Sequence, residues 1–144
     1  MKKNVLTKSL SISVILTVFC LGGCLPGKQS IADNQLPSEC QIYDNKLIIT
    51  LNENPTTGYR WEFQMDKNDI IEFESDEFNG DENPLGLDGV GGKHFWVFKG
   101  VSTGIVALTF KYRRPWEEAN NVIETKSFLI SVGKNGKIEN VKQN

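Results

Sequence analysis

Gly58-Tyr59-Arg60-Trp61-Glu62-Phe63-Gln64-Met65-Asp66 is the stretch that decides the fold. Tyr59, Trp61, Phe63 and Met65 alternate with Arg60, Glu62, Gln64 and Asp66. A period of two puts all four apolar side chains on one face of a strand and the polar ones on the other. The same alternation recurs downstream, where Val106, Leu108, Phe110 and Tyr112 interleave with Ala107, Thr109 and Lys111. Upstream, Leu47, Ile49 and Leu51 share one face of a strand from Lys46 to Leu51. Residues 94–99 are apolar on both parities, as in the central strand of a sandwich, and Phe128, Ile130 and Val132 form the last strand. Ile70–Phe73 reads as a shorter strand, and Asp66–Phe73 has room for one helical turn at most. No segment carries a 3.6-residue apolar stripe.

About seven short strands separated by turn signals predict an all-β fold, an immunoglobulin-like antiparallel β-sandwich. A small β-barrel is the alternative, because strand count does not separate the two. One inner face is expected to carry Trp61 and Phe63, another Leu108 and Phe110. The cysteines are Cys20, Cys24 and Cys40. Cys20 and Cys24 belong to the N-terminal segment and leave Cys40 without a partner, so no internal disulfide is expected and the fold rests on its apolar core. Cys40 reads as a small buried hydrophobe.

The N-terminus has a different character. Lys2, Lys3 and Lys8 precede an apolar run from Ile12 to Leu21, which ends at Gly22-Gly23-Cys24. A basic start, a short apolar run and small residues at the cut describe an export signal. The run is short for a membrane span, which needs about 20 apolar residues. Leu21-Gly22-Gly23-Cys24 resembles the lipobox of bacterial lipoproteins. That resemblance implies cleavage before Cys24 and a diacylglycerol on its sulfur, anchoring the protein in the membrane of the cell envelope on its periplasmic or extracellular side. An ordinary secretory peptide cut nearby is the other reading. The expected organisation is a signal over 1–23, a lipidated cysteine and linker over 24–43, one domain over 44–133 and a polar tail over 134–144 that frays.

Charge narrows the function. The whole chain has a formal charge of −2, and all 18 acidic residues follow Cys24 while Lys2, Lys3 and Lys8 precede it. The exported portion is therefore more acidic still, which argues against a nucleic-acid partner. His94 is the one histidine, which excludes a histidine-rich metal site and reads as structural. No Ser/His/Asp or Cys/His set has motif-like context, so no catalytic residue, metal or cofactor is assigned. Asp76, Glu77, Asp81, Glu82 and Asp88 read as a solvated acidic loop without calcium-loop spacing.

Three loops remain. Asn54-Pro55-Thr56-Thr57-Gly58 starts with local bonding by Asn and a fixed φ at Pro, continues through two stiff β-branched residues, and ends on a permissive glycine. Such a tip loses little entropy on entering a cleft. Gly89-Val90-Gly91-Gly92 lacks the Gly-Lys-Ser/Thr ending of a phosphate loop and precedes a strand, so close backbone approach to a partner fits better. In Arg114-Pro115-Trp116 the proline stiffens the turn and Trp116 falls where exposure is expected, a residue type enriched at binding hot spots. Each segment taken alone reads also as a plain connection: two hairpin turns, and a tryptophan folded back on the sandwich edge.

Taken in order, the three resemble the inhibitory loops of the chagasin family. The resemblance rests on Asn54–Gly58 followed by Tyr59, on Gly91-Gly92 before His94-Phe95, and on Arg114-Pro115-Trp116 after Tyr112, and it covers about residues 45–132. It implies an immunoglobulin-like monomer that reversibly inhibits papain-like cysteine peptidases, with Thr56 and Thr57 at the catalytic cysteine and Pro55 and Gly58 shaping that loop. It further implies Gly89, Gly91 and Gly92 on one side of the cleft and Arg114, Pro115 and Trp116 on the other. The acidic 74–82 segment and Arg113 depart from the family pattern. An envelope adhesion or assembly module that binds a protein or glycan is the competing class, because sandwiches host many functions.

Overall fold

A computed structural model describes residues 35–86 and 88–144. The expected export signal, Cys24 and the linker as far as residue 34 lie outside the described residues. The described chain forms eight strands: β1 Cys40–Tyr43, β2 Lys46–Glu53, β3 Arg60–Met65, β4 Ile71–Gly80, β5 Gly92–Gly100, β6 Gly104–Arg113, β7 Val122–Val132 and β8 Ile138–Gln143. All pairings are antiparallel, in two four-stranded sheets ordered β1-β2-β5-β4 and β3-β6-β7-β8. This is the expected sandwich, and the division into two sheets excludes the barrel. Among the described residues no helix is long and apolar enough to cross a membrane.

The core follows the alternation. In the first sheet Leu47 lies opposite Phe98 and Ile49 opposite Trp96, all fully or nearly fully buried. In the second, Val106, Leu108 and Phe110 of β6 face inward beside Phe128 and Ile130 of β7. The layers interlock through aromatic rings. Phe110 meets Trp96 with centroids 5.0 Å apart, and Phe63 meets Phe98 edge-on at 5.1 Å. Such edge-to-face pairs add about 0.5–1.5 kcal/mol each beyond their buried area. Cys40 is buried and free, and burial pushes its thiol up to about 12, with the neighbouring Glu39 charge adding to the effect.

Four expectations are corrected. Trp61 and Phe63 do not face Leu108 and Phe110 from an opposite sheet: β3 pairs with β6, placing Phe63 beside Phe110 in one layer. The expected linker ends early, because Cys40–Tyr43 is already an edge strand on β2. The tail does not fray over its length. Ile138 and Val141 are buried, and β8 closes the second sheet against β7. The acidic segment is loop only in part: β4 runs to Gly80 and carries Asp76 and Glu77 along β5, after a bulge between Phe73 and Ser75, while Asp81, Glu82 and Asp88 lie exposed in the loop beyond it. Most of β4 is exposed, which removed the apolar signal that marks a strand.

Candidate functional site

All three loops leave strands at the same end of the sandwich: β2 to β3, β4 to β5, and β6 to β7. The first is a 3₁₀ turn over Pro55–Thr57. Asn54 caps it, its side-chain oxygen accepting from the Thr56 N–H at 3.2 Å and from the Thr56 hydroxyl at 2.7 Å. The Thr57 hydroxyl donates to the Asn54 carbonyl at 2.7 Å. Gly58 ends the turn at φ +81°, a left-handed conformation that suits glycine, and its N–H returns to the Pro55 carbonyl. Thr56 and Thr57 are exposed at the tip. The stiffness read from the sequence is thus built by a cap and a closed turn.

Asn54 also joins the first loop to the others. Its side-chain N–H donates to the Gly89 carbonyl at 2.7 Å, and its backbone N–H donates to the Tyr112 hydroxyl at 3.2 Å. Tyr112 in turn stacks on Trp61 at 4.8 Å and lies 5.5 Å from the Tyr59 ring. The third loop closes over the first from the opposite side. The Arg114 guanidinium sits 4.5 Å above the Tyr59 ring and donates to the Thr57 carbonyl at 3.3 Å. Trp116 is 70 % exposed, with its indole across Gly58, so it does not fold back into the sandwich.

The expected site residues therefore form one edge, with one exception. Gly89 is exposed and Gly91 half-buried, but Gly92 is buried as the first residue of β5, between Glu53 of β2 and Gly80 of β4. A Cβ at Gly92 would fall 2.7 Å from the Gly80 Cα. Gly92 lets the strands close beneath the loop and is not part of its outer surface. Tyr59 is half-buried and serves as a platform for Arg114. Arg113 is a brace rather than a contact residue. It binds Glu62 at 3.1 Å and the Glu117 carbonyl at 2.8 Å, with its side chain 15 % exposed.

Sequence reasoning missed Tyr112 as a tie between loops, and it missed the partners of His94. The ring bridges Glu53 and Asp76 and stacks on Trp96. No residue spacing signals either set, because the partners come from separate strands. Among the described residues no group of His, Cys, Asp and Glu is arranged to hold a metal ion.

The sandwich thus presents three mutually braced loops at one end, with Thr56, Thr57 and Trp116 exposed. The family model described as Chagasin family peptidase inhibitor I42 matches residues 43–132. The chain belongs to the chagasin family: it is a peptidase inhibitor and not an enzyme. Amoebiasin-1 of Entamoeba histolytica is 40% identical over 91 residues, covering 62% of this chain and 80% of that protein. The crystal structure of the cysteine protease inhibitor EhICP2 from Entamoeba histolytica has the same fold. It superposes with a TM-score of 0.54 at 23% identity, covering 60% of this chain and 77% of that one. The resemblance drawn from the three loops is borne out at the level of family and fold.

Proposed function

We propose that the edge formed by residues 54–58, 89–91 and 114–116 plugs the active-site cleft of a papain-like cysteine peptidase. The observation that carries this reading is the bonding of the three loops into one body through Asn54, Tyr112 and Arg114. A body already ordered before binding loses little entropy in the complex. Thr56 and Thr57 enter the cleft at the catalytic cysteine. Gly89 and Gly91 approach one side by backbone, and Trp116 covers the other. The 3₁₀ turn presents no extended segment to the cysteine, so the cleft is blocked and no bond is cut. An interface of ordinary size buries about 800 Å² per partner, within reach of three adjacent loops.

The test is inhibition of papain and several papain-like enzymes by the full chain at micromolar concentration. Inhibition is expected, and binding is expected to persist when the enzyme's catalytic cysteine is replaced by alanine. Failure against every enzyme would leave an adhesion or assembly module as the better reading. The same proposal takes the inhibitor as a monomer, which size-exclusion chromatography with light scattering checks. It also takes Cys24 as a lipid anchor in the cell envelope, supported by Leu21-Gly22-Gly23-Cys24. Cys24→Ala is expected to free the protein from the membrane or stall its processing, and unchanged fractionation and processing would refute the anchor.

A further inference from the structure

A layer of polar side chains lies directly under the exposed loops. His94 of β5 stands opposite Leu51 of β2 and Phe78 of β4. Leu51 is a core residue, so the His94 ring points to the inner side of its sheet. It stacks on Trp96 with centroids 4.0 Å apart and meets the Phe78 ring at 6.1 Å. Its Nδ1 pairs with the Glu53 carboxylate and its Nε2 with the Asp76 carboxylate at 2.7 Å. The two acids come from the strands on either side of β5, so the imidazole is a strut across three strands.

Proton counting defines the strut's working form. A neutral imidazole has one N–H and can satisfy one carboxylate, whereas an imidazolium satisfies both. The Glu53 side chain is 1% exposed, and its second oxygen is buried without a partner. His94 is the side-chain partner found for this buried acid, and a buried charge stripped of its partner is strongly unfavourable. Glu53 comes immediately before Asn54, the residue that caps the first loop and ties it to Gly89. Its carbonyl oxygen lies 3.0 Å from where a Gly91 Cβ would stand, so the roots of the first and second loops touch at Glu53. Glu53, Asp81 and Tyr112 line one hollow of about 370 Å³ behind these loops. The charged groups on the ring itself are Glu53 from β2 and Asp76 from β4. Lys93, its chain neighbour, points to the other face of β5.

We propose that His94, in its protonated form, is a positioning residue for inhibition. It clamps Glu53 to Asp76, holds the first and second loops in register, and so makes affinity for the peptidase fall as the imidazole loses its proton. This rests on the inhibitor reading above.

Two measurements on the full chain test it. The first follows the His94 ring and the amides of Asn54, Gly89 and Gly91 by NMR from about pH 5 to about pH 8, the range over which histidine charge ordinarily changes. The amides are expected to shift with the midpoint of the ring. The second compares binding to papain lacking its catalytic cysteine at both ends of that range, for wild type and for His94→Gln. The wild type is expected to lose about tenfold more affinity toward high pH than the variant, the scale of one charge-assisted hydrogen bond. Titration of the peptidase cancels in that ratio. Asp76→Asn, which removes one of the two carboxylates on the ring, is expected to weaken the coupling between the ring and the loop amides. Loop amides indifferent to the ring, or a wild-type-to-variant ratio constant with pH, would overturn the proposal. Papain left unbound at every pH would defeat the papain reading, while the amide shifts would still decide the clamp.

Discussion

The indole of Trp116 lies across Gly58, so close that a Cβ on Gly58 would stand 2.8 Å from the ring carbon Cζ2. The third loop thus rests on the end of the first. Gly58 is needed twice, for its φ of +81° and for the space the indole fills. Gly58→Ala is expected to displace Trp116, at a cost of about 1 kcal/mol or more from the left-handed backbone alone. Inhibition constants should rise while the thermal unfolding midpoint moves by only a few degrees. An unchanged inhibition constant would show that the two loops act separately.

Trp116→Ala separates binding from folding. At 70 % exposure the ring contributes little to the core, so chemical denaturation should barely change. As a hot spot it should cost about 2 kcal/mol of affinity, or about 30-fold. Calorimetric titration of a papain-like enzyme reads this directly, and a large loss of stability with intact affinity would reverse the assignment.

Asn54→Ala removes the cap on the 3₁₀ turn and the bond to Gly89 together. Loss of such a cap costs about 0.5–2 kcal/mol. Hydrogen exchange is expected to quicken in residues 54–58 and 88–91 at once, because one side chain serves both. Faster exchange confined to the first loop would contradict the coupling.

Glu39 and Lys126 predict an acid response. Lys126 donates to the Glu39 carboxylate at 2.7 Å, and this bond, followed by one from the Ser38 hydroxyl, holds the acid below the ordinary glutamate range. A carboxylate held lower in the folded state stabilises it above the unfolded value, and that share is lost as pH falls through the folded one. Glu39→Gln should therefore lower stability at neutral pH and flatten the decline on acidification. Urea midpoints measured from pH 6 down to pH 3 test both effects, and parallel curves would refute them.

Cys40 should be inert. It is 4 % exposed and its thiol is pushed up to about 12, so little thiolate exists at neutral pH. A thiol reagent should leave it unmodified until denaturant is added. Rapid labelling of the native protein would mean that β1 opens readily from β2.

The sandwich was legible because half-buried strands state their inner face in every second residue, as Trp61–Met65 and Val106–Tyr112 do. The part of β4 beyond Phe73 and the whole of β8 were not, since an exposed edge strand has few apolar positions to set a period. For the candidate site, Asn54–Gly58 and Arg114–Trp116 were legible as loops because proline, glycine and tryptophan fix local geometry or stand out by type. Gly92 was read with the loop for the same reason, and it is buried as the first residue of β5. Its identity signals close approach but not whether a partner or its own neighbour Gly80 makes it.

By itself, then, the sequence determined the strands with a buried face, the shape of each loop and the family to which the chain belongs. Those properties are local, set by side-chain alternation and by the φ preferences of single residues. Only the tertiary structure decided that β3 pairs with β6, that Arg113 is a brace, that Asn54 and Tyr112 tie the loops together, and that His94 bridges Glu53 and Asp76. The physical reason is distance along the chain. A hydrogen bond between residues 41 or 58 positions apart leaves no spacing to read, and it exists only once the strands that carry its partners lie side by side.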